Sequence, residues 1–193
     1  MSNTHRTVVL AGLLLGLVCA GCHQTSRPYE PAGLQERLRA APEVRELLRI
    51  RNEMTSRAID RNVRPAELQE AYARGDEHRV AELLGYTAED LVRLGSRLHA
   101  ASESLFAAYP DLPSFATPNP AGCTRCNAQR LASYLDAHRS GTASKSEVVH
   151  CEYVPYVAAL ATCTAAGPIL YWPCAIVATC VYCGGGWVDA LCG

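Results

Sequence analysis

The sequence predicts a mainly α protein: a small N-terminal helical bundle followed by a C-terminal disulfide-rich apolar mini-domain of short helices. Three observations carry this. Apolar residues recur at helical spacing up to Tyr109. Residues 110–122 then hold four prolines in thirteen positions. Eight of the ten cysteines fall in the last seventy-one residues, which include a stretch, Tyr153 to Val188, without one Asp, Glu, Lys, Arg or His.

A chain of 193 residues has room for one ordinary domain or two small ones. A formal net charge of −1 argues against a nucleic-acid partner found by bulk electrostatics. Between residues 23 and 122, thirteen arginines face fifteen carboxylates, so the charge runs read as solvated helix faces. Cysteines this crowded point to an oxidising compartment and a disulfide framework.

Residues 1–22 supply a route there. His5 and Arg6 precede an apolar run of twelve, Thr7 to Val18, and Cys19-Ala20-Gly21-Cys22 places small residues at a cleavage point. This is the pattern of a secretory signal, too short for a spanning helix. Ala20-Gly21-Cys22 resembles the end of a bacterial lipobox, with Cys22 lipidated and Cys19 where Leu is usual. Ordinary cleavage after Ala20 is the rival. Lipobox processing would discard Cys19 and cap Cys22, leaving eight cysteines able to pair; ordinary cleavage would leave nine. The expected location is therefore export, with the precursor lipid-anchored to the envelope or secreted.

Residues 23–32, with Pro28 and Pro31, read as a polar tether. Pro42 suits a first helical turn, and Val44, Leu47, Leu48, Met54 and Ala58 follow at helical spacing. A second helix is predicted from Pro65 to Gly75. Asp76 caps a third, with Val80, Leu83 and Leu84 inward and Gly85 as its stop. Thr87 and Asp90 make a capping box with Asp in place of Glu or Gln, ahead of the stripe Leu91, Leu94, Leu98, Leu105 and Tyr109. The bundle thus spans 23–109. Its narrow stripes leave apolar surface for a partner, including an intramolecular contact with the tail. His78 and His99 stand apart from each other and from any cysteine. No phosphate loop, His-x-x-x-His pair or Gly-x-Ser-x-Gly turn occurs, so no catalytic residue, metal or cofactor is assigned.

The prolines of 110–122 predict a stiff, extended linker open to a processing protease. The module 123–193 opens with Cys123-Thr-Arg-Cys126, continues as an amphipathic helix through Leu131, Tyr134, Leu135 and His138, and then loops from Ser140 to Ser146. Its cysteines are Cys123, Cys126, Cys151, Cys163, Cys174, Cys180, Cys183 and Cys192. Two Cys-x-x-Cys pairs would suit zinc, but fifty-three residues separate them and four cysteines are left over. A dithiol catalyst needs a thiolate at a helix start in a strand–helix setting that the sequence does not display. Structural disulfides, each adding roughly 2–4 kcal/mol, suit so small a core. The pairing stays open. Gly167-Pro168 and Pro173 break the uncharged run, which favours a hairpin of two apolar helices over one span. Its rings include Tyr156, Tyr171, Trp172 and Trp187, candidates for contact with a water–lipid boundary.

Leader, helical region and eight-cysteine tail together resemble precursors of disulfide-rich bacteriocins, the fulvocin C-related and halocin-type families. Cys163-Thr-Ala-Ala-Gly167 resembles the Cys-x-Ala-Ala-Gly step of the halocin-type module. Cys183-Gly-Gly-Gly-Trp-Val188, followed by Cys192, resembles the Cys-Gly-x-Gly-Trp-Val step near the end of fulvocin C. The likeness covers about the last forty-five to seventy residues. It implies a secreted, non-enzymatic antimicrobial peptide acting on a target-cell membrane, with residues 23–109 as a pro-region that silences it or protects the producer. The alternative expectation is a surface lipoprotein with a permanent structural or adhesion cysteine-rich domain.

Overall fold

The computed structural model describes residues 30–116, 124–140, 150–185 and 188, with the side chains of 124–126 left out. Eight α-helices account for most of these: α1 (Leu34–Ala40), α2 (Pro42–Asp60), α3 (Pro65–Arg74), α4 (Glu77–Leu84), α5 (Ala88–Ala108), α6 (Thr124–Arg139), α7 (Tyr153–Cys163) and α8 (Pro168–Tyr182). Two-residue strands, β1 (His150–Cys151) and β2 (Cys183–Gly184), pair antiparallel. The chain is mainly helical, with disulfides in its C-terminal part.

The helix ends follow from local chemistry. Pro42 and Pro65 occupy the first turns of α2 and α3, where a missing N–H costs nothing. The α2 C-terminus turns through Asn62 at φ 51°, and Val63 N–H reaches back to the Ala58 carbonyl at 2.9 Å. Gly75 ends α3 in the left-handed region at φ 69°, with Asp76 N–H on the Ala71 carbonyl at 2.9 Å. Asp76 then accepts from Arg79 N–H at 2.9 Å and starts α4. Gly85, at φ 67°, repeats the α3 ending for α4. The Thr87–Asp90 capping box is present in both directions: Asp90 N–H donates to Thr87 Oγ1 at 3.1 Å and Thr87 N–H to Asp90 Oδ2 at 3.0 Å.

Two expectations are corrected. The linker prolines predicted an extended spacer without helix, yet Leu112–Phe115 form a 3-10 turn that packs on α7. Pro113 sits near the start of that turn, where its fixed φ and absent N–H are tolerated. Leu112 and Phe115, 1% and 8% exposed, carry the turn into the core. Residues 117–122 lie outside the described ones. The second correction concerns the two parts. A single apolar cluster runs from Leu34 through Leu135 and on through Val154 to Tyr182, so bundle and cysteine-rich segment share one core.

The reason is α8. Eleven of its fifteen residues are buried, so it is apolar all round rather than along one stripe. Helices α2, α4, α5, α6 and α7 all pack on it. Helix α7 packs on α8 and also meets α1, α5 and the 112–115 turn. Helix α6 uses Leu131, Tyr134 and Leu135 to close the side next to α3. The apolar stripes of residues 34–109 are thus satisfied by the tail. Each large side chain buried this way adds about 1.5–3 kcal/mol.

Candidate functional site: the uncharged helical hairpin

Helices α7 and α8 form a hairpin through a 3-10 turn, Thr164–Ala166, and Gly167 at φ 89°. Cys163–Cys174 closes its tip with Cα atoms 5.6 Å apart. Cys151–Cys183 closes its base, bridging the β1–β2 pair, and Glu152 N–H extends the ladder to the Tyr182 carbonyl at 2.8 Å. Cys180 is disulfide-bonded as well. Cys22, Cys123, Cys192 and Trp187 lie outside the described residues, as does the side chain of Cys126. From the loop-closure relation the two described bridges stabilise by about 3–4 kcal/mol each.

The rings expected at a water–lipid boundary point inward in this fold. Tyr156 is 5% exposed, and Tyr171 and Trp172 are 0%. Their polar tips find partners on the preceding helices instead of water. Tyr171 donates its hydroxyl to the Leu47 carbonyl of α2 at 2.8 Å. Trp172 Nε1–H donates to Thr55 Oγ1 at 3.1 Å, and Thr55 in turn donates to the Arg51 carbonyl at 3.0 Å. Arg51 sends its guanidinium to Tyr156 Oη at 2.6 Å and Thr179 Oγ1 at 3.4 Å, while Asn52 Oδ1 takes two further N–H groups. These partners cross-link α2 to both arms of the hairpin.

Pro173 creates the remaining demand. It sits inside α8, and its missing N–H would otherwise serve the carbonyl four residues back, that of Ile169. Tyr72, on α3, donates its hydroxyl to that carbonyl at 3.0 Å. The proline therefore stays within a helix because another helix supplies the lost donor. Burial pushes the phenol pKa of Tyr72 and Tyr171 far up, so both remain donors throughout the useful pH range.

Sequence reasoning did not single out Arg51, Thr55 or Tyr72 as partners of the tail. An interior proline does announce an orphan carbonyl, but the donor lies ninety-seven residues away. The predicted α6 helix places Tyr134 inside the core and His138 beside it, ring centroids 4.2 Å apart. His78 and His99 stay at the surface, bonded to Glu82 and Glu103 one turn on at 3.4 and 3.1 Å.

No protein-family model, curated protein or solved structure matches this chain. Among the described residues, no helix is long and apolar enough to cross a membrane. Nor do the described residues bring three or more His, Cys, Asp or Glu side chains together as a metal site.

Two predictions follow from this geometry. Tyr72→Phe leaves the Ile169 carbonyl buried without a donor and lowers the unfolding free energy by about 1–3 kcal/mol in urea titration. Tyr86 supplies the contrast: its hydroxyl is buried with no hydrogen-bond partner among the described residues, and burial pushes its pKa to about 12. Tyr86→Phe is expected to be neutral or stabilising in the same titration.

The second concerns pH. Burial and then the nearby Arg51 charge depress the pKa of His138 below its ordinary 6.5. The unfolded state therefore takes up this proton first, and stability falls as pH drops below about 6.5. Carboxylates act lower down. Burial raises the Glu46 pKa, but hydrogen bonds from Arg97 and Arg49 outweigh it; Asp90 is lowered by the Thr87 N–H. Their contribution is lost only below about pH 4.5. Thermal melts of a His138→Phe variant should show a flatter profile than the parent between about pH 7 and 5, with the loss below pH 4.5 intact.

Proposed function

We propose that the chain is the exported precursor of a bacteriocin-like, disulfide-stapled, membrane-active antimicrobial peptide carried in residues 123–193. The observation that carries this reading is the hairpin itself. Its two helices hold no charged side chain, disulfides close both its ends, and the preceding helices sheathe its apolar and aromatic surface. In water that surface has to stay covered; at a bilayer its aliphatic side chains and rings meet a solvent that suits them.

On this reading residues 23–109 are the pro-region, a processing protease cuts within 110–122, and the target is the membrane of competing bacteria. The leader exports the chain, and lipid on Cys22 holds the precursor at the envelope. At 1.5 Å per residue α7 and α8 measure about 16 and 22 Å, short of a hydrocarbon core of about 30 Å. Action by insertion at the interface or by assembly of several copies fits these lengths better than a single span.

A second reading, a surface lipoprotein whose cysteine-rich part is a permanent structural or adhesion domain, is favoured by one specific observation. The hairpin lies at the centre of the shared core, and its Tyr171, Trp172 and Ile169 polar groups are served by α2 and α3. A part so deeply integrated is costly to remove.

The two readings separate by processing and by membrane activity. Mass spectrometry of envelope and medium from expressing cells should find a fragment close to residues 123–193, and that fragment should release dye from anionic liposomes and inhibit related bacteria. An intact envelope-bound chain, with no leakage from the isolated fragment, would overturn the peptide reading and favour the second.

A further inference from the structure

The two described disulfides close opposite ends of one hairpin, yet they differ in access. Cys163 and Cys174 are 0% and 1% exposed, shut inside the core. Cys151 and Cys183 are half-buried and line a surface cleft of about 430 Å³ together with His150, Glu152, Val181 and Gly184. Val181, at 40%, is among the most exposed large apolar residues described. Both cysteines of the base disulfide line this cleft, whereas those of the tip disulfide are closed inside the core.

We propose that Cys151–Cys183 is a thiol–disulfide exchange site in the folded chain, open to a dithiol while Cys163–Cys174 remains closed. The co-reactant is a small dithiol or a protein carrying a reduced Cys-x-x-Cys pair. One of its thiolates attacks a sulfur of the bridge, the S–S bond breaks, and the other cysteine leaves as a thiolate that takes a proton. The second thiol of the reagent, deprotonated, then displaces the remaining protein cysteine from the mixed disulfide, and that sulfur is protonated in turn. Two electrons pass to the protein bridge, the reagent ends as a disulfide, and two protein thiols are formed.

The structural result is local. At the base the two-residue ladder and the Glu152–Tyr182 bond stay in place among the described residues once the bridge is cut. At the tip Cys163–Cys174 persists, and α8 stays fixed by its bonds to Tyr72, Leu47 and Thr55. Reduction thus unclasps the hairpin base without removing its helices from the core. This inference stands independently of the antimicrobial reading, since it concerns the folded chain alone.

The test uses the full-length oxidised protein. It is exposed to dithiothreitol under native conditions, quenched with iodoacetamide at intervals and mapped by peptide mass spectrometry, with circular dichroism recorded alongside. Cys151 and Cys183 should gain label at least about tenfold faster than Cys163 and Cys174, as expected where access controls exchange. The helical signal should not change during that phase. Equal or earlier labelling of Cys163 and Cys174 would overturn the proposal. So would labelling confined to other cysteines, or labelling of Cys151 and Cys183 only as the helical signal is lost.

Discussion

A helix that is apolar on every face has to be covered on every face, and α8 places that demand on the rest of the chain. It carries no charge, and it holds Trp172 and Tyr171 at zero exposure. Helices from both sides of the proline-rich segment meet it. Covering is only half of the demand. A buried indole N–H, a buried phenol and the carbonyl stranded by Pro173 each require a partner in a medium without water. Thr55, Leu47 and Tyr72 supply those partners. The hydrophobic term sets how deep the hairpin lies, and these bonds set its rotation and register.

The outer surface contributes differently. Arg97 of α5 joins Glu46 and Glu53 of α2 at 2.8 and 3.2 Å, with all three side chains about a quarter exposed. This small network ties α5 to α2 across the bundle and is worth more than isolated surface pairs, such as Arg74 with Glu70 at 3.1 Å. Arg51 is a different case. Among the described residues no carboxylate lies within ion-pair distance of it, and neutral oxygens of Tyr156, Thr179 and Asn52 receive its donors. It is the charged side chain that reaches into the uncharged hairpin and bonds both of its arms.

Much of this architecture was legible in the sequence because it is written locally. Pro42, Pro65, Asp76, Thr87 and the glycines at 75 and 85 announce their helix ends through backbone chemistry within four residues. The hairpin of two apolar helices was legible from Gly167-Pro168 in the same way. Pro173 was a poorer guide, since it reads as a break unless Tyr72 is known to stand beside it. Leu112 and Phe115 were overshadowed by the prolines around them. The orientation of Tyr156, Tyr171 and Trp172 was not legible at all. An amphipathic ring announces that its tip needs a polar neighbour, not whether that neighbour is a headgroup or a side chain more than a hundred residues away.

The central claim is that the hairpin is the core of one cooperative unit rather than a module beside a bundle. Native-state hydrogen exchange measures this directly, because it reports the opening free energy of each helix separately. Amides of α7 and α8 should exchange with the same free energy and the same denaturant dependence as those of α2 and α3. Exchange of α7 and α8 through a distinct opening, while α2 and α3 stay protected, would contradict the account.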